Sequence, residues 1–367
     1  MGIQQYLYGL NSRARVAAGL AAVTVAVIAP IAGGTPAASA QSVTQVAHAS
    51  AIAADGPGHR LYYYWQAIGG KTWHKELVAG RNSTYSQPAL AQTGRVAAIA
   101  AEGPDHRLYF YWELIGGTRW HAELVAGKNS TYSAPSLARV ANYSLIAAES
   151  GGGRLHAYWQ PISGKRWTPQ LVAGRNSTYS QPSAKQIGRT AAIVAMGARN
   201  RLSYYWQSIG ARRWHPETIA GRYSTYSAPS LAQVANFSVV AAVGVKRSIQ
   251  VYSRKIGTRA WRAQLIGGFD STYSAPAVTQ IARATVVVAR GPRNSLRYYW
   301  QAFGVKPWHP ETVAGKNTTY SQPSVAEVGR SAVAVAQGVR HSLVFYRQAI
   351  GSKRWRRQLV AGKSTTY

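Results

Sequence analysis

Tryptophan, histidine and glutamate recur together along this chain in positions from which they could bind a sugar. The four complete sets are Trp65, His74 and Glu76; Trp112, His121 and Glu123; Trp206, His215 and Glu217; and Trp300, His309 and Glu311. An indole ring can stack on the apolar C–H face of a pyranose, while a carboxylate and an imidazole hydrogen-bond its hydroxyls. The sets therefore predict carbohydrate-binding pockets. Cross-strand pairing on an outer strand explains the same residues without a ligand, and the sequence leaves both interpretations open.

The sets belong to a repeat of constant length. Corresponding residues are 47 positions apart, as in the series Pro88, Pro135, Pro182, Pro229, Pro276 and Pro323, and Trp73, Trp120, Trp167, Trp214, Trp261, Trp308 and Trp355. A period of about 40 to 50 residues is typical of propeller blades. The first and last of the seven copies keep the tryptophan and the apolar segments, so we expect a closed ring rather than a solenoid with polar end caps.

Each copy predicts four short β-strands. In copy two these are 88–93, 96–102, 107–115 and 119–126, separated by turns rich in Gly, Pro and Asp. The alanine-rich second strand suits the crowded centre of a ring, and the bulkier third and fourth strands suit its rim. The sequence thus predicts an all-β fold, a seven-bladed β-propeller with four antiparallel strands per blade. The predicted blades are 41–87, 88–134, 135–181, 182–228, 229–275, 276–322 and 323–367.

Side-chain alternation assigns the recurring residues to the two faces of a blade. Trp65, His74 and Glu76 share one face. Because copies three, five and seven lack the complete set, its members come and go as a group, and we expect them to contact one another. Tyr64 and Trp73 recur in every copy and share the other face, so we expect them in the core between blades.

The segment NSTYSQP at 82–88 connects one blade with the next. Its Ser and Thr suit a hydrogen-bonded bend, and its proline suits the start of an innermost strand. We expect the tyrosine, Tyr85 in the first copy, to pack between blades. Asn82, Asn129, Asn176 and Asn317 also match the N-glycosylation pattern, although turn chemistry explains the same residues.

Residues 1–40 differ in composition from the repeats. Arg13 and Arg15 precede an apolar run over 16–31, and Ala38-Ser39-Ala40 fits a cleavage site, which together predict a secretory signal peptide. We expect a secreted, extracellular protein that begins at residue 41. An uncleaved membrane anchor is the alternative, although the run contains Pro30 and is shorter than the ~20 apolar residues of a spanning helix. No other segment approaches that length.

The chain is strongly basic, with 42 Lys and Arg against 11 Asp and Glu and a net charge of +31. Without Arg13 and Arg15 the charge is +29, from 40 basic and 11 acidic residues. Cations recur at fixed positions of the repeat, which predicts rings of charge that could hold an acidic polymer or nucleic acid. Solubility explains the same charge. The series are Arg81, Lys128, Arg175, Arg222, Lys316 and Lys363; Arg60, Arg107, Arg154 and Arg201; and Lys71, Lys165, Arg212, Arg259, Lys306 and Lys353.

Other chemistries have little support in the sequence. There is no cysteine, acidic residues are too few for a ring of calcium sites, and the strand histidines lie one per blade, too far apart for one zinc ion. We therefore expect neither a metal nor a cofactor. Glycoside hydrolysis usually needs two carboxylates across one substrate. Glu102 and Glu149, which end neighbouring second strands, are the only candidate pair, so we expect a non-catalytic protein.

The repeat resembles that of a known family. The pattern S-x-P-S, an apolar strand, G-P-x-x-x-L-Y-x-Y-W and G-x-x-W-H-x-E-L-V-A-G is similar to that of bacterial seven-bladed propeller lectins of the PLL-like, fucose-binding kind, over 41–367. The resemblance implies multivalent binding of fucose-like or other neutral sugars in pockets between blades, lined by Trp, Tyr and His. Three hypotheses follow: a neutral-sugar lectin, a binder of acidic polymers, and a protein-interaction scaffold.

Overall fold

The computed structural model describes residues 41–366, and the predicted signal peptide lies outside them. Twenty-eight strands form seven separate four-stranded antiparallel sheets, and in each sheet the strands are neighbours in the order in which they occur in the chain. The predicted seven-bladed β-propeller is therefore confirmed. We number the blades 1 to 7 in chain order.

The strands of the first four blades are as follows. Blade 1 contains β1 (Gln41–Val46), β2 (Ala49–Gly56), β3 (Arg60–Ala67) and β4 (His74–Ala79). Blade 2 contains β5 (Ala89–Thr93), β6 (Val96–Glu102), β7 (Leu108–Leu114) and β8 (His121–Ala126). Blade 3 contains β9 (Ser136–Val140), β10 (Tyr143–Ser150), β11 (Arg154–Pro161) and β12 (Thr168–Ala173). Blade 4 contains β13 (Ser183–Ile187), β14 (Thr190–Gly197), β15 (Arg201–Ser208) and β16 (His215–Ala220).

The last three blades repeat this arrangement. Blade 5 contains β17 (Ser230–Val234), β18 (Phe237–Val243), β19 (Ile249–Lys255) and β20 (Arg262–Gly267). Blade 6 contains β21 (Ala277–Ile281), β22 (Ala284–Gly291), β23 (Ser295–Ala302) and β24 (His309–Ala314), and blade 7 contains β25 (Ser324–Val328), β26 (Ser331–Gln337), β27 (Leu343–Ala349) and β28 (Arg356–Ala361). Single-turn 3-10 helices occupy Pro104–His106, Ala198–Asn200, Val245–Arg247, Pro292–Asn294 and Val339–His341.

Burial follows the position of each strand in its blade. The second strand is buried on both faces, as in β6, where Ala98, Ile99 and Ala100 are inaccessible to solvent. Small residues allow neighbouring sheets to approach closely there. The fourth strand lies at the outer edge, is largely exposed, and carries a bulge opposite the start of the third strand. A bulge at an edge strand twists it away from further pairing.

Each interface between blades joins the two faces assigned from the sequence. The face of blade 1 that carries Tyr64 and Trp73 packs on blade 7, where Trp73 makes an edge-on contact with Phe345 at 5.1 Å between ring centroids. The face that carries Trp65 packs on blade 2. The prediction that Tyr64 and Trp73 belong to the core between blades is confirmed. The Trp65 face proves to be the other half of the same type of interface.

The ring closes through the contact that also joins consecutive blades. In blade 2, the Gln92 side chain accepts a hydrogen bond from the backbone N–H of Ala47 in blade 1, at 2.8 Å. Gln45 of blade 1 accepts the equivalent bond from Gly329 of blade 7, also at 2.8 Å. No strand is exchanged between the described ends of the chain. Blades 7 and 1 therefore meet as any other neighbours do.

The connecting segments differ from the prediction in the position of their tyrosine. Thr84 is fully buried and its hydroxyl donates to the Ser86 carbonyl, so the threonine anchors the bend. Tyr85 does not pack between blades: it is 41% exposed and lies against His59 of its own blade. Asn82 adopts a left-handed backbone with φ 59°, a conformation that asparagine tolerates better than most residues. This conformation accounts for asparagine in the repeat.

Candidate functional site

The predicted Trp–His–Glu sets are assembled by the pairing of the third and fourth strands. In blade 1, Trp65 of β3 lies directly opposite His74 of β4, and Glu76 lies two residues further along β4 on the same face. The Trp65 and His74 rings stack at 4.2 Å with 19° between their planes. Trp65 Nε1 donates to Glu76 Oε1 at 2.6 Å. The prediction that the three residues share a face and contact one another is confirmed.

The glutamate also binds the next blade. Trp120 of blade 2 donates its Nε1–H to Glu76 Oε2 at 3.0 Å, so one carboxylate holds indoles from two blades. We call this arrangement, two indole N–H groups and the acceptor between them, the Trp–Glu clamp. Charge-assisted hydrogen bonds are among the stronger polar contacts. Glu76 therefore positions the two aromatic walls of the interface.

The other complete sets stack in the same way, but the glutamate joins two indoles only in blades 2 and 6, because Trp261 Nε1 has no hydrogen-bond partner in the described residues. The histidine stacks on its tryptophan at 4.3 Å for Trp112 and His121, and at 4.4 Å for both Trp206–His215 and Trp300–His309. Glu123 binds Trp112 at 2.8 Å and Trp167 at 3.1 Å, and Glu311 binds Trp300 at 2.7 Å and Trp355 at 3.4 Å. Glu217 binds Trp206 at 2.7 Å. The tryptophan and glutamate of each set thus lie at an interface between blades, and the histidine stacks on the tryptophan of its own blade.

Two copies without a complete set retain the clamp in full or in part, with glutamine as the acceptor. In blade 3, Gln170 Oε1 accepts from Trp159 and from Trp214 of blade 4, both at 3.1 Å. In blade 5, Gln264 Oε1 accepts from Trp308 at 3.2 Å. The loss of His and Glu in these copies is therefore not a loss of the contact between blades, because an amide oxygen replaces the carboxylate. In blade 7, Gln358 instead donates to the Lys71 carbonyl at 2.8 Å.

At three interfaces a residue on the third strand of the following blade lies near the glutamate of the preceding blade, and its chemistry varies. At the interface of blades 2 and 3, Gln160 donates to Glu123 Oε2 at 2.9 Å. At that of blades 4 and 5, Arg254 forms a salt bridge with Glu217. At that of blades 1 and 2, the equivalent residue is Glu113. Burial, and then the nearby Glu76 carboxylate, raise the pKa of Glu113 to about 7.

An open groove lies beside the clamp between blades 6 and 7. Its volume is about 720 Å³, within the range of small-molecule sites. Tyr298, Trp300 and Trp355 supply aromatic surface. The polar and charged lining side chains are Arg283, Glu311, Thr312, Gln348, Ser352 and Lys353. We call this cavity groove 6–7. A second cavity of about 560 Å³, lined in part by Arg340, Arg357 and Lys363, lies at the same pair of blades and shares no lining residue with it.

The carboxylates considered for catalysis lie elsewhere. Glu102 binds the His106 imidazole, with 2.7 Å between Oε1 and Nδ1. Burial, and to a smaller extent the neighbouring Glu102, raise the pKa of Glu149 to about 7. Over residues 41–366 no group of three or more acidic or histidine side chains is placed to hold a metal ion. Within the same residues no helix is long and apolar enough to cross a membrane.

Two positions of the repeat that contribute to the site were not predicted from the sequence. The tryptophans Trp120, Trp167 and Trp355 were assigned only to the core, although each also binds the clamp acceptor of the preceding blade. The variable residue of the following blade, Glu113 or Gln160, was not considered. The signal was present in the copies themselves: arginine occupies this position once, at Arg254, and there it faces a glutamate.

Comparison with solved structures identifies related folds. The BP39L lectin from Burkholderia pseudomallei matches with a TM-score of 0.80 at 15% identity, over 90% of this chain and 100% of its own. A variant of the Aleuria aurantia lectin in complex with α-methyl-L-fucoside matches with a TM-score of 0.55 at 11% identity, over 90% and 98%. The β-propeller domain of the trilobed protease from Pyrococcus furiosus matches with a TM-score of 0.54 at 8% identity, over 89% and 98%.

These similarities establish the class of fold. The expected resemblance to propeller lectins is confirmed at the level of architecture, which the chain also shares with a protease domain. No protein-family model and no curated protein matches the sequence. The function must therefore be argued from the site, because one fold can support many functions.

Proposed function

We propose that this protein is a non-catalytic carbohydrate-binding propeller that takes sugars in the grooves beside its Trp–Glu clamps. The observation that carries the proposal is groove 6–7, in which Trp300 and Trp355 form aromatic walls and are held by one carboxylate. Sugar sites combine such aromatic faces with a few fixed polar groups. The fold shared with lectins supports the proposal, and the Aleuria aurantia lectin structure is a complex with α-methyl-L-fucoside.

Repetition of the clamp supports binding at several sites. Complete Trp–His–Glu sets occur in blades 1, 2, 4 and 6. Weak individual sites on one rigid ring can act together on a surface that carries many copies of a sugar. We therefore propose a multivalent lectin. We also propose that it is secreted, on the basis of the predicted signal peptide. Cleavage after Ala40 would be checked by N-terminal sequencing of the exported protein.

The test of sugar binding is a glycan array followed by calorimetry with the best neutral and acidic sugars. Trp300→Ala removes one wall of groove 6–7, and we expect the number of bound sugars per chain to fall. A second variant, Ser352→Trp, fills the groove from an exposed lining position and avoids the core. We expect it to give the same loss with an unchanged unfolding temperature.

Two results would count against the proposal. One is the absence of any glycan on the array that binds above background. The other is full sugar binding by both Ser352→Trp and Trp300→Ala.

A further inference from the structure

We propose that groove 6–7 and its counterpart between blades 2 and 3 select acidic sugars, with one arginine and one lysine binding the anionic group on the pyranose ring. This inference rests on the proposed function and adds the class of sugar. It concerns a carboxylate or sulfate group carried by the same ring that stacks on tryptophan, which is a narrower claim than general attraction to polyanions.

Two cations from different blades line groove 6–7. Arg283 lies on the turn between β21 and β22 of blade 6, and Lys353 lies on the turn between β27 and β28 of blade 7. Neither forms an ion pair with a described carboxylate. The one carboxylate in the lining, that of Glu311, accepts from two indole N–H groups. Two positive charges thus face an aromatic groove without a partner from the described part of the protein.

The same set of residue types occurs once more, four repeats earlier. Groove 6–7 combines Arg283, Trp300, Glu311, Gln348, Lys353 and Trp355, and the interface of blades 2 and 3 combines Arg95, Trp112, Glu123, Gln160, Lys165 and Trp167. In the latter, Glu123 accepts from Trp112, Gln160 and Trp167. Cations on the two turns, one from each blade, therefore recur together with a complete clamp.

A third interface provides an internal contrast. Between blades 1 and 2 the clamp of Trp65, Glu76 and Trp120 is intact. His48 and Thr118 occupy the two turn positions of arginine and lysine there, and Glu113 replaces the glutamine. Two carboxylates at this interface disfavour an anionic ligand. If charge selects the ligand, the interface of blades 1 and 2 should favour neutral sugars.

The experiment is titration calorimetry of the whole protein with three defined ligands at about 0.15 M and about 1 M salt. Trigalacturonate carries carboxylates, its methyl ester is the neutral match with the same rings, and a κ-carrageenan tetrasaccharide carries sulfate without carboxylate. We expect trigalacturonate or the sulfated ligand to bind roughly tenfold more tightly than the methyl ester at the lower salt, because only the anions form hydrogen-bonded ion pairs with the two cations.

Two double variants test which of the two cavities binds the acidic sugar. Arg283→Gln with Lys353→Gln should eliminate one of the two proposed acidic-sugar sites and leave binding of the methyl ester unchanged. Arg357→Gln with Lys363→Gln removes the same charge from the second cavity at the same pair of blades and should leave acidic-sugar binding intact.

The outcomes separate this inference from the proposed function. If the methyl ester, or the neutral sugars of the array, bind as tightly as both anions, selection of acidic sugars is wrong and sugar binding stands. If the Arg357 and Lys363 variant loses the anion while the Arg283 and Lys353 variant retains it, the assignment to groove 6–7 is wrong. If no sugar of either kind binds, both proposals fall together.

Discussion

Two neighbouring interfaces of the ring share a framework and differ in one side chain at its centre. Between blades 1 and 2, Glu76 holds Trp65 and Trp120 and faces Glu113. Between blades 2 and 3, Glu123 holds Trp112 and Trp167 in the same way. There it faces Gln160, which donates a third hydrogen bond at 2.9 Å.

The consequence of this difference is electrostatic. Gln160 supplies a donor to the clamp at any pH. Glu113 supplies one only when it is protonated, and its Oε1 is buried without a hydrogen-bond partner in the described protein. Burial and both carboxylates also raise the pKa of Tyr63 at this interface. A repeat can therefore conserve its packing while one substitution changes the charge of a single interface.

We expect the largest effect from removing the glutamate of the clamp between blades 2 and 3, which accepts three hydrogen bonds. Glu123→Ala leaves three donors, on Trp112, Gln160 and Trp167, without their acceptor. Buried donors without a partner cost about 1–3 kcal/mol each, so we expect a loss of about 2–4 kcal/mol in the free energy of unfolding, after partial hydration. Urea denaturation measures it.

Glu123→Gln is the matched control for that loss. Gln170 already serves two tryptophans through one amide oxygen in blade 3, so an amide is an adequate acceptor. We expect Glu123→Gln to lose less than half of what Glu123→Ala loses. Equal losses would mean that the charge of Glu123 matters more than its hydrogen bonds.

The next effect is pH-dependent and belongs to blades 1 and 2. The pKa of Glu113 is raised from 4.5 to about 7, so the folded protein holds this proton more tightly than the unfolded chain. The resulting stabilisation is complete below about pH 4.5 and is lost as the pH rises through 7. Glu113→Gln should therefore stabilise the protein by about 1–2 kcal/mol at pH 8 and change little at pH 4.5.

The reciprocal substitution sharpens this comparison. Gln160→Glu creates a second carboxylate pair, now between blades 2 and 3, and should destabilise the protein at pH 8 more than at pH 5. Thermal unfolding of both variants across this range provides the measurement. If the difference between wild type and Glu113→Gln does not change with pH, the pKa of Glu113 is not raised as described.

The smallest effect is expected from transferring ligand selection between interfaces. His48→Arg with Thr118→Lys, in the Glu113→Gln background, gives the interface of blades 1 and 2 the residue types of groove 6–7. At the lower end of the range for exposed charge pairs, about 0.2–0.5 kcal/mol each, the two added cations should tighten trigalacturonate binding there roughly two- to fivefold. Calorimetry would show the added site, with Glu113→Gln alone as the control. An unchanged titration would show that the turn cations do not select the ligand.

Much of the fold could be predicted because it depends on local periodicity. The step of 47 residues gives the number of blades, and alternation along the third and fourth strands places Trp65, His74 and Glu76 on one face. Tyr85 was assigned wrongly, because recurrence does not distinguish a residue that packs between blades from one that lies on an exposed turn beside His59. A residue in either position can recur in every copy, because the backbone conformation of the repeat is the same.

The sequence by itself determined the seven sheets, their strands and the residues on each face, because these follow from the spacing of apolar residues and turns within one copy. Only the tertiary structure decided that Glu76 binds Trp120 as well as Trp65, and that Glu113 rather than glutamine faces it. Those contacts join side chains of different copies at unequal positions of the repeat. They form only when consecutive blades pack with one face of a blade against the opposite face of the next.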